Sequence, residues 1–446
     1  ELLPSGGGQN VVEFTASGAV ASGKPVILNT NGTVTEVGTI SESTGSEVVF
    51  ESAATYYISG AYDTTNNKIV LAYQDQPNSN YGTAIVGTVS GTSISFGTPV
   101  VFESANVEYT SVVYDPDTGK IVIAYRDQGN SSYGTAIVGT VSGTSISFGT
   151  AVVFQSTNSF MISTTYDTTN DKVVIAYSKY DSWFKGFGVV GTVSGTSISF
   201  GTPVQFDTDN TAGYDIRYIS AAFDSSNGKS VISYRGNNVY GQSVVGTVSG
   251  TSISFGTPVN FKTASVNYVT SAYDSTNNKV AIIYNTVAGS GEGIVGTVSG
   301  TSISFGSSTS FMSGSSGAEF LATTFDSTNG KTVSIYRDST NSNYGTYVVG
   351  TVSGTSISFG TPTVFNTASS NDLGIAFDSS EGICVFGYRD FGNSNYGTAI
   401  CLQNETTNLT AASFIGLAAG AISDTATGNI NVKGGINEAQ TGLTIG

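Results

Sequence analysis

The sequence predicts an all-β chain whose central part is a seven-bladed β-propeller, and three observations carry that prediction. The string GTVSGTSISFG occurs six times without change, starting at Gly87, Gly139, Gly191, Gly246, Gly296 and Gly350. A second marker, Tyr or Phe followed by Asp and a polar turn, occurs seven times, at Asp63, Asp115, Asp167, Asp224, Asp274, Asp326 and Asp378. The seventh unit stops short at its C-terminal end, and a degenerate copy of the missing piece lies near the N-terminus. A period of about 50 residues is the signature of stacked or radial repeats.

The second unit shows the four elements in order. Tyr109–Tyr114 (YTSVVY) is a strand, ended by the turn DPDTG. Lys120–Arg126 (KIVIAYR) follows, then the loop DQGNSS, then Tyr133–Val141 (YGTAIVGTV). A tight SGT turn leads to Ser145–Phe154 (SISFGTAVVF). β-Branched and aromatic residues fill the runs while Gly, Asn, Asp and Ser fill the turns, as hairpins require. Four antiparallel strands in such a repeat make one propeller blade. A β-solenoid is the alternative, but its coils are shorter and need no closure. Closure is what the ends suggest. Asp372–Glu405 holds three strands of the seventh unit, and Gly38–Ser52 (GTISESTGSEVVFES) supplies the fourth. A strand donated across the ring leaves no free edge. The expected domains are residues 1–37 and 405–446, two halves of one small β-domain, with the propeller at 38–404 inserted between them.

Composition narrows the function classes. Among 446 residues there are 56 glycines but only 8 prolines, and charged residues are 11%. Aromatic residues also reach 11%, far more than a disordered Gly/Ser linker carries. The formal charge of −16, from 32 acidic and 16 basic residues, opposes nucleic acid and anionic membranes as partners. With no histidine, Ser-His-Asp triads and His-ligated metals are excluded. No run of 18 apolar residues suggests membrane insertion. A chain that starts at Glu1 reads as a processed product or a segment of something longer. No cofactor and no metal is expected.

Two cysteines fall in the seventh unit. If Arg389 faces Tyr396 across its hairpin, Cys384 lies opposite Cys401 and a cross-strand disulfide is possible. A register slip of one residue would separate them and leave two buried thiols.

The flanking segments TASGAVASGKPVILNTNGTV and SFIGLAAGAISDTATGNINVKGG resemble repeat-bearing tail-fibre and virion structural proteins of phages, marine cyanophage-like ones especially. The repeat GTVSGTSISFGTPVVF is similar to repeats in the same proteins. That resemblance covers most of the chain and transfers no catalytic residue. It implies an extracellular or virion-surface fibre role. The implied partners are a host surface glycan or receptor, and copies of the chain itself or other fibre proteins.

Candidate sites follow from repeat geometry. The second strand ends in Tyr in every unit (Tyr73, Tyr125, Tyr177, Tyr234, Tyr284, Tyr336 and Tyr388), a recurrence that suits packing between blades. The loop after it is nearly uniform in units 1, 2, 6 and 7, where it carries Asp75, Asp127, Asp338 and Asp390. Arg126, Arg337 and Arg389 precede three of these. In units 3 to 5 the loop diverges, and unit 3 holds the only tryptophan, Trp183, beside Phe184 and Lys185. These residues suit a glycan site, aromatics for stacking and Asp or Arg for hydroxyls; the local reading is that the aspartates cap their own loops. A second ring, six residues before each turn Asp, comprises Tyr57, Tyr109, Met161, Tyr218, Tyr268, Phe320 and Asp372. It should circle one mouth of the central channel, as core lining or as a stacking platform. The repeated Asp-x₄-Lys turn, as in Asp63 and Lys68, reads as a capping Asp with a surface ion pair rather than a calcium loop. A sialidase-like propeller would need an arginine cluster and singular residues. The arginines here follow the repeat instead, so binding is expected and catalysis is not; the alternative is a purely structural filament or virion-decoration subunit.

Overall fold

The computed structural model describes residues 11–207, 215–313, 317–409 and 414–432. The chain divides into two compact units: Thr44–Gln403, and a smaller one made of Glu1–Ser43 with Asn404–Gly446. The division thus falls after Ser43, six residues beyond the boundary expected from the sequence.

Within the larger unit every repeat builds the same antiparallel sheet. In the second repeat, Val100–Asp115 turns into Lys120–Asp127, pairing Asp115 with Lys120 and Ser111 with Ala124. Lys120–Asp127 then pairs with Tyr133–Ser142, and that strand pairs through a Gly-containing turn with Ser145–Phe148. The second strand is covered on both sides, which is why it reads as the nearly unbroken apolar run IVIAY. The first strand is long because it serves two repeats. Val152–Asp167 begins by pairing Val152 and Val153 with Ala136 and Thr135 of the second repeat. After two register shifts it becomes the innermost strand of the third, pairing Ser163 with Ala176.

A strand of the same two-repeat kind links the seventh repeat to the first. Val48–Asp63 pairs Val48 and Val49 with Ala399 and Thr398 of the seventh repeat, then Ser59 with Ala72 of the first. Gly45 donates its amide to the Cys401 carbonyl at 2.9 Å, as Gly97 does to Val86 at 2.9 Å. Both glycines press on the neighbouring repeat so closely that a Cβ would lie 1.8 Å from the Thr92 carbonyl oxygen, or 1.9 Å from that of Thr144. Only glycine allows that approach.

Each turn aspartate is buried or nearly so and works locally. Asp63 Oδ1 accepts the Thr65 and Asn66 amides at 2.9 and 3.0 Å, and Oδ2 accepts Asn66 Nδ2 at 2.8 Å. Asp167, Asp224 and Asp274 repeat the pattern. The surface ion pair expected between Asp63 and Lys68 does not form. The carboxylate is already filled by its turn, and the lysines look elsewhere: Lys120 Nζ donates to Thr140 Oγ1 at 2.9 Å.

The disulfide is corrected as well. Asp390, not Arg389, faces Tyr396, so Cys384 lies opposite Leu402 and Cys401 opposite Val385. One residue of register sends the two thiols to opposite faces, where both are buried and free. Burial pushes both thiols up, that of Cys401 to about 12.

In the smaller unit the two flanks interleave in one sheet, in the order Val11–Thr15, Thr427–Asn431, Phe414–Ala418, Pro25–Leu28, Val34–Glu36. Val20, Val26, Val34, Ala418, Ile422 and Ile430 form its core. No α-helix occurs among the described residues.

Candidate functional site

The innermost strands converge on one cavity of about 280 Å³. It is lined by the same three positions of all seven repeats, from Ile58–Gly60 in the first to Leu373–Ile375 in the seventh. Its lining mixes hydroxyls, such as Ser59, Thr110, Ser111, Ser163 and Thr164, with branched apolar side chains such as Ile58, Ile162 and Leu373. Many of these hydroxyls bond across repeats: Ser111 to Thr164 at 2.9 Å, Ser220 to Ser271 at 3.0 Å.

Directly before those strands lies the second ring, and its backbone is unusual. Tyr57, Tyr109, Met161, Tyr218, Tyr268, Phe320 and Asp372 all have φ between 49° and 53°. Bulky residues seldom adopt the left-handed region, and such strain collects at functional sites. Here it marks a bulge. Pairing is interrupted between Tyr56 and Ser59, and likewise in every other repeat, so the extra residue is turned out of the ladder. Neighbouring rings meet: Tyr57 and Tyr109 at 5.1 Å, Tyr218 and Tyr268 at 5.0 Å, Tyr268 and Phe320 at 5.5 Å.

The loop after each second strand lies at the same end, because the second strand's last residues pair with the start of the inner strand. That pairing sets the arginines opposite acids. Arg126 faces Glu108 and Arg337 faces Glu319, each in an ion pair. Arg389 binds Asp372 at 3.1 Å, with both side chains almost fully buried. Asp372 also accepts the Tyr57 amide at 3.2 Å, tying the seventh repeat to the first. Burial pushes the Asp372 carboxyl up, against the opposing pull of Arg389. Guanidinium planes stack on rings: Arg126 on Phe160 at 4.2 Å, Arg337 on Phe320 at 4.7 Å, Arg389 on Tyr56 at 4.1 Å.

The uniform loop aspartates face inward to their own loops. Asp127 Oδ1 accepts the Asn130 amide at 3.0 Å, starting a 3₁₀ turn at Gln128–Asn130. Asp390 holds the Gly392 amide at 2.8 Å and Asn366 Nδ2 at 2.9 Å. Asp338 takes the Thr340 and Asn341 amides. Trp183 stands at a hairpin tip, 43% exposed, between Lys172–Tyr180 and Phe184–Ser194. Phe184 is half-buried against Phe160 at 4.9 Å, and Lys185 pairs with Asp181 at 3.5 Å. Sequence reasoning missed Phe160, Tyr180, Glu108 and Arg217. An acid one residue before the ring position, in Glu108-Tyr109 and Glu319-Phe320, was the available signal.

The second-strand tyrosines are wholly buried between repeats. Four of their hydroxyls reach acids, Tyr73 to Glu51 at 3.1 Å, Tyr125 to Glu103 at 3.0 Å, Tyr284 to Glu292 at 2.8 Å and Tyr388 to Glu47 at 2.7 Å. Burial raises the carboxyls of Glu51, Glu103, Asp75, Asp127 and Asp372 above the ordinary carboxylate range. Glu292, bound by Lys262, moves the other way. A raised folded-state value means the folded chain binds these protons more tightly than the unfolded chain does. Stability from the five groups is thus gained as pH falls through their raised values and is complete below the unfolded ones. Glu292, shifted the other way, contributes stability that is lost in acid. The denaturation midpoint is expected to be at least as high at pH 5 as at pH 7.5, measured in urea at constant ionic strength. A midpoint that drops steadily over that interval would contradict the burial assigned to these carboxyls.

The fold is that of a β-propeller. It is similar to the BP39L lectin from Burkholderia pseudomallei, with a TM-score of 0.59 and 9% identity over 81% of this chain and 99% of the lectin. The β-propeller domain of Cps50 (Swd1) from Myceliophteria thermophila is similar too, with a TM-score of 0.53 and 7% identity over 81% and 99%. No protein-family description matches the sequence, and no curated protein does.

Proposed function

We propose that the seven repeats are seven blades of one ring, closed by the N-terminal strand, and that the ring is a non-catalytic recognition module for a host surface glycan or receptor. In this reading the chain is a segment of an extracellular fibre, on a virion surface. The pairing of Val48 and Val49 with the seventh repeat, and the match of Gly45 to Gly97, support the closure. One observation carries the recognition reading: a ring of side chains, five of them aromatic, held in left-handed backbone at the mouth of the channel. Strain of that kind, repeated seven times, is retained where the surrounding structure fixes it for use. A lectin among proteins of the same fold is consistent with it.

Binding suits the charges better than catalysis does. An enzyme acting on acidic sugars needs arginines free to clamp a carboxylate. Here Arg126, Arg337 and Arg389 are each engaged by a carboxylate of the chain itself. The test is binding of the full chain to whole bacterial cells and to an array of surface glycans. Saturable binding is expected, weakened about tenfold or more by Tyr109→Asn, a change of roughly 1.4 kcal/mol. Asn tolerates the left-handed backbone, so the fold should persist. Binding by neither cells nor glycans, with the chain folded, would leave a purely structural fibre role.

A further inference from the structure

The aromatic rings at the mouth do not form a symmetric circle. In repeats 1 to 3 they continue outward as an unbroken series. Tyr57 meets Tyr109 at 5.1 Å, Tyr109 meets Phe160 at 5.9 Å, and Phe160 meets Phe184 at 4.9 Å. Phe184 meets Tyr180 at 4.9 Å, and Tyr180 is 46% exposed at the hairpin tip that also carries Trp183. The series in repeats 4 to 6 is shorter and stops at the half-buried Phe320. Among the described residues, aromatic side chains therefore lead from the inner ring out to the rim in repeats 1 to 3.

Charge along this series is balanced pair by pair. Arg126, stacked on Phe160, is matched by Glu108. Arg217, 5.4 Å over Phe184, is matched by Asp215 at 2.8 Å, and Lys185 by Asp181 at 3.5 Å. Lys179 lies off the series, over Phe187 at 5.3 Å. No surplus of cations is offered to an acidic polymer, and a net charge of −16 repels one. Meanwhile the polar loops of repeats 2, 6 and 7 spend their aspartates on their own amides, so they do not present equivalent polar sites from blade to blade.

We infer that the chain has one extended binding site, running from Tyr57 to Trp183 across repeats 1 to 3, for a single strand of a neutral linear polysaccharide. This inference rests on the recognition reading above. It differs from a set of equal small-sugar sites, one per blade. Successive sugar rings would lie along successive members of the series, so affinity must grow with the length of the ligand.

Trp183 is the only tryptophan, so its fluorescence reports the rim end alone. The experiment titrates the full chain with neutral and acidic bacterial surface polysaccharides, each depolymerised to graded lengths from one to about eight sugars. Trp183 emission and calorimetric stoichiometry are read together. Expected are one site per chain, a response of Trp183 to the longer neutral fragments, and affinity rising at least tenfold from the shortest to the longest. Tyr180→Ser should lower the affinity of the long fragments at least tenfold, toward that of the short ones. Several equal sites per chain, affinity independent of length, or preference for the acidic series would overturn the extended site. So would cell or array binding that leaves Trp183 silent and ignores Tyr180→Ser, though recognition itself would then stand. Absence of binding to every fragment, cell and glycan would remove both.

Discussion

Replacing Asp372 by Ala is expected to destabilise the folded chain by about 3–5 kcal/mol, the largest effect of any single change at the channel mouth. The carboxylate and Arg389 are 11% and 10% exposed and 3.1 Å apart. Taking one member away leaves a buried guanidinium with only ring faces, Tyr56 and Phe391, for company. The amide of Tyr57 loses its acceptor in the same step. Because Asp372 belongs to the seventh repeat and Tyr57 to the first, the damage falls on the seam between the two ends of the repeat array. Asp372→Asn should cost less, since it keeps the left-handed backbone comfortable and retains an oxygen for the Tyr57 amide. The double variant Asp372→Ala with Arg389→Met removes both charges and should regain much of the loss. Urea denaturation followed by tyrosine fluorescence measures all three. Equal stability of Asp372→Ala and the parent chain would show that the pair is not buried as described.

The second large effect is packing between repeats. Tyr125→Ala is expected to cost about 3–5 kcal/mol, the usual range for deleting a large buried aromatic side chain. Tyr125 is fully buried against Val70, Ala72 and Phe102, side chains that reach it from the first repeat. Its hydroxyl meets Glu103, whose carboxyl burial has already raised. The loss therefore combines a cavity with a half-buried acid deprived of its donor. Conservative changes separate the two parts. Tyr125→Phe keeps the ring and should cost about 1–3 kcal/mol for the stranded acceptor. Tyr234→Phe should be nearly neutral, because no side chain hydrogen-bonds to the buried Tyr234 hydroxyl. If Tyr125→Phe and Tyr234→Phe proved equally harmless, the Glu103 bond would have no energetic weight.

How much of this was legible beforehand depended on how local the controlling physics is. The six identical strings, the seven turn aspartates and the alternation of apolar runs with Gly, Asn and Ser state strand, turn and period directly, because hairpin chemistry acts within a few residues. Tyr73 and its equivalents could be assigned to packing for the same reason: a residue that recurs in every repeat answers a need that recurs. The fit of Gly38–Ser52 to the seventh unit was readable as pattern, and the pairing of Val48 with Ala399 follows it. Register was not readable. The hairpin after Asp390 holds one residue of uncertainty, and that residue decides whether Cys384 and Cys401 face each other or opposite sides of a sheet. The left-handed ring was equally hidden. Tyr, Met and Phe do not choose that conformation by themselves, and only the bulge forced on the inner strand imposes it. Nor does any local signal set Arg389 against Asp372 or Phe160 against Phe184, since those neighbours are fixed by cross-strand pairing and by packing between repeats. The amino-acid sequence by itself determined which segments are strands and how often they recur. Tertiary structure alone decided which side chains gather at the channel mouth, because that depends on register and bulges, whose energies are summed over whole strands and not over neighbouring residues.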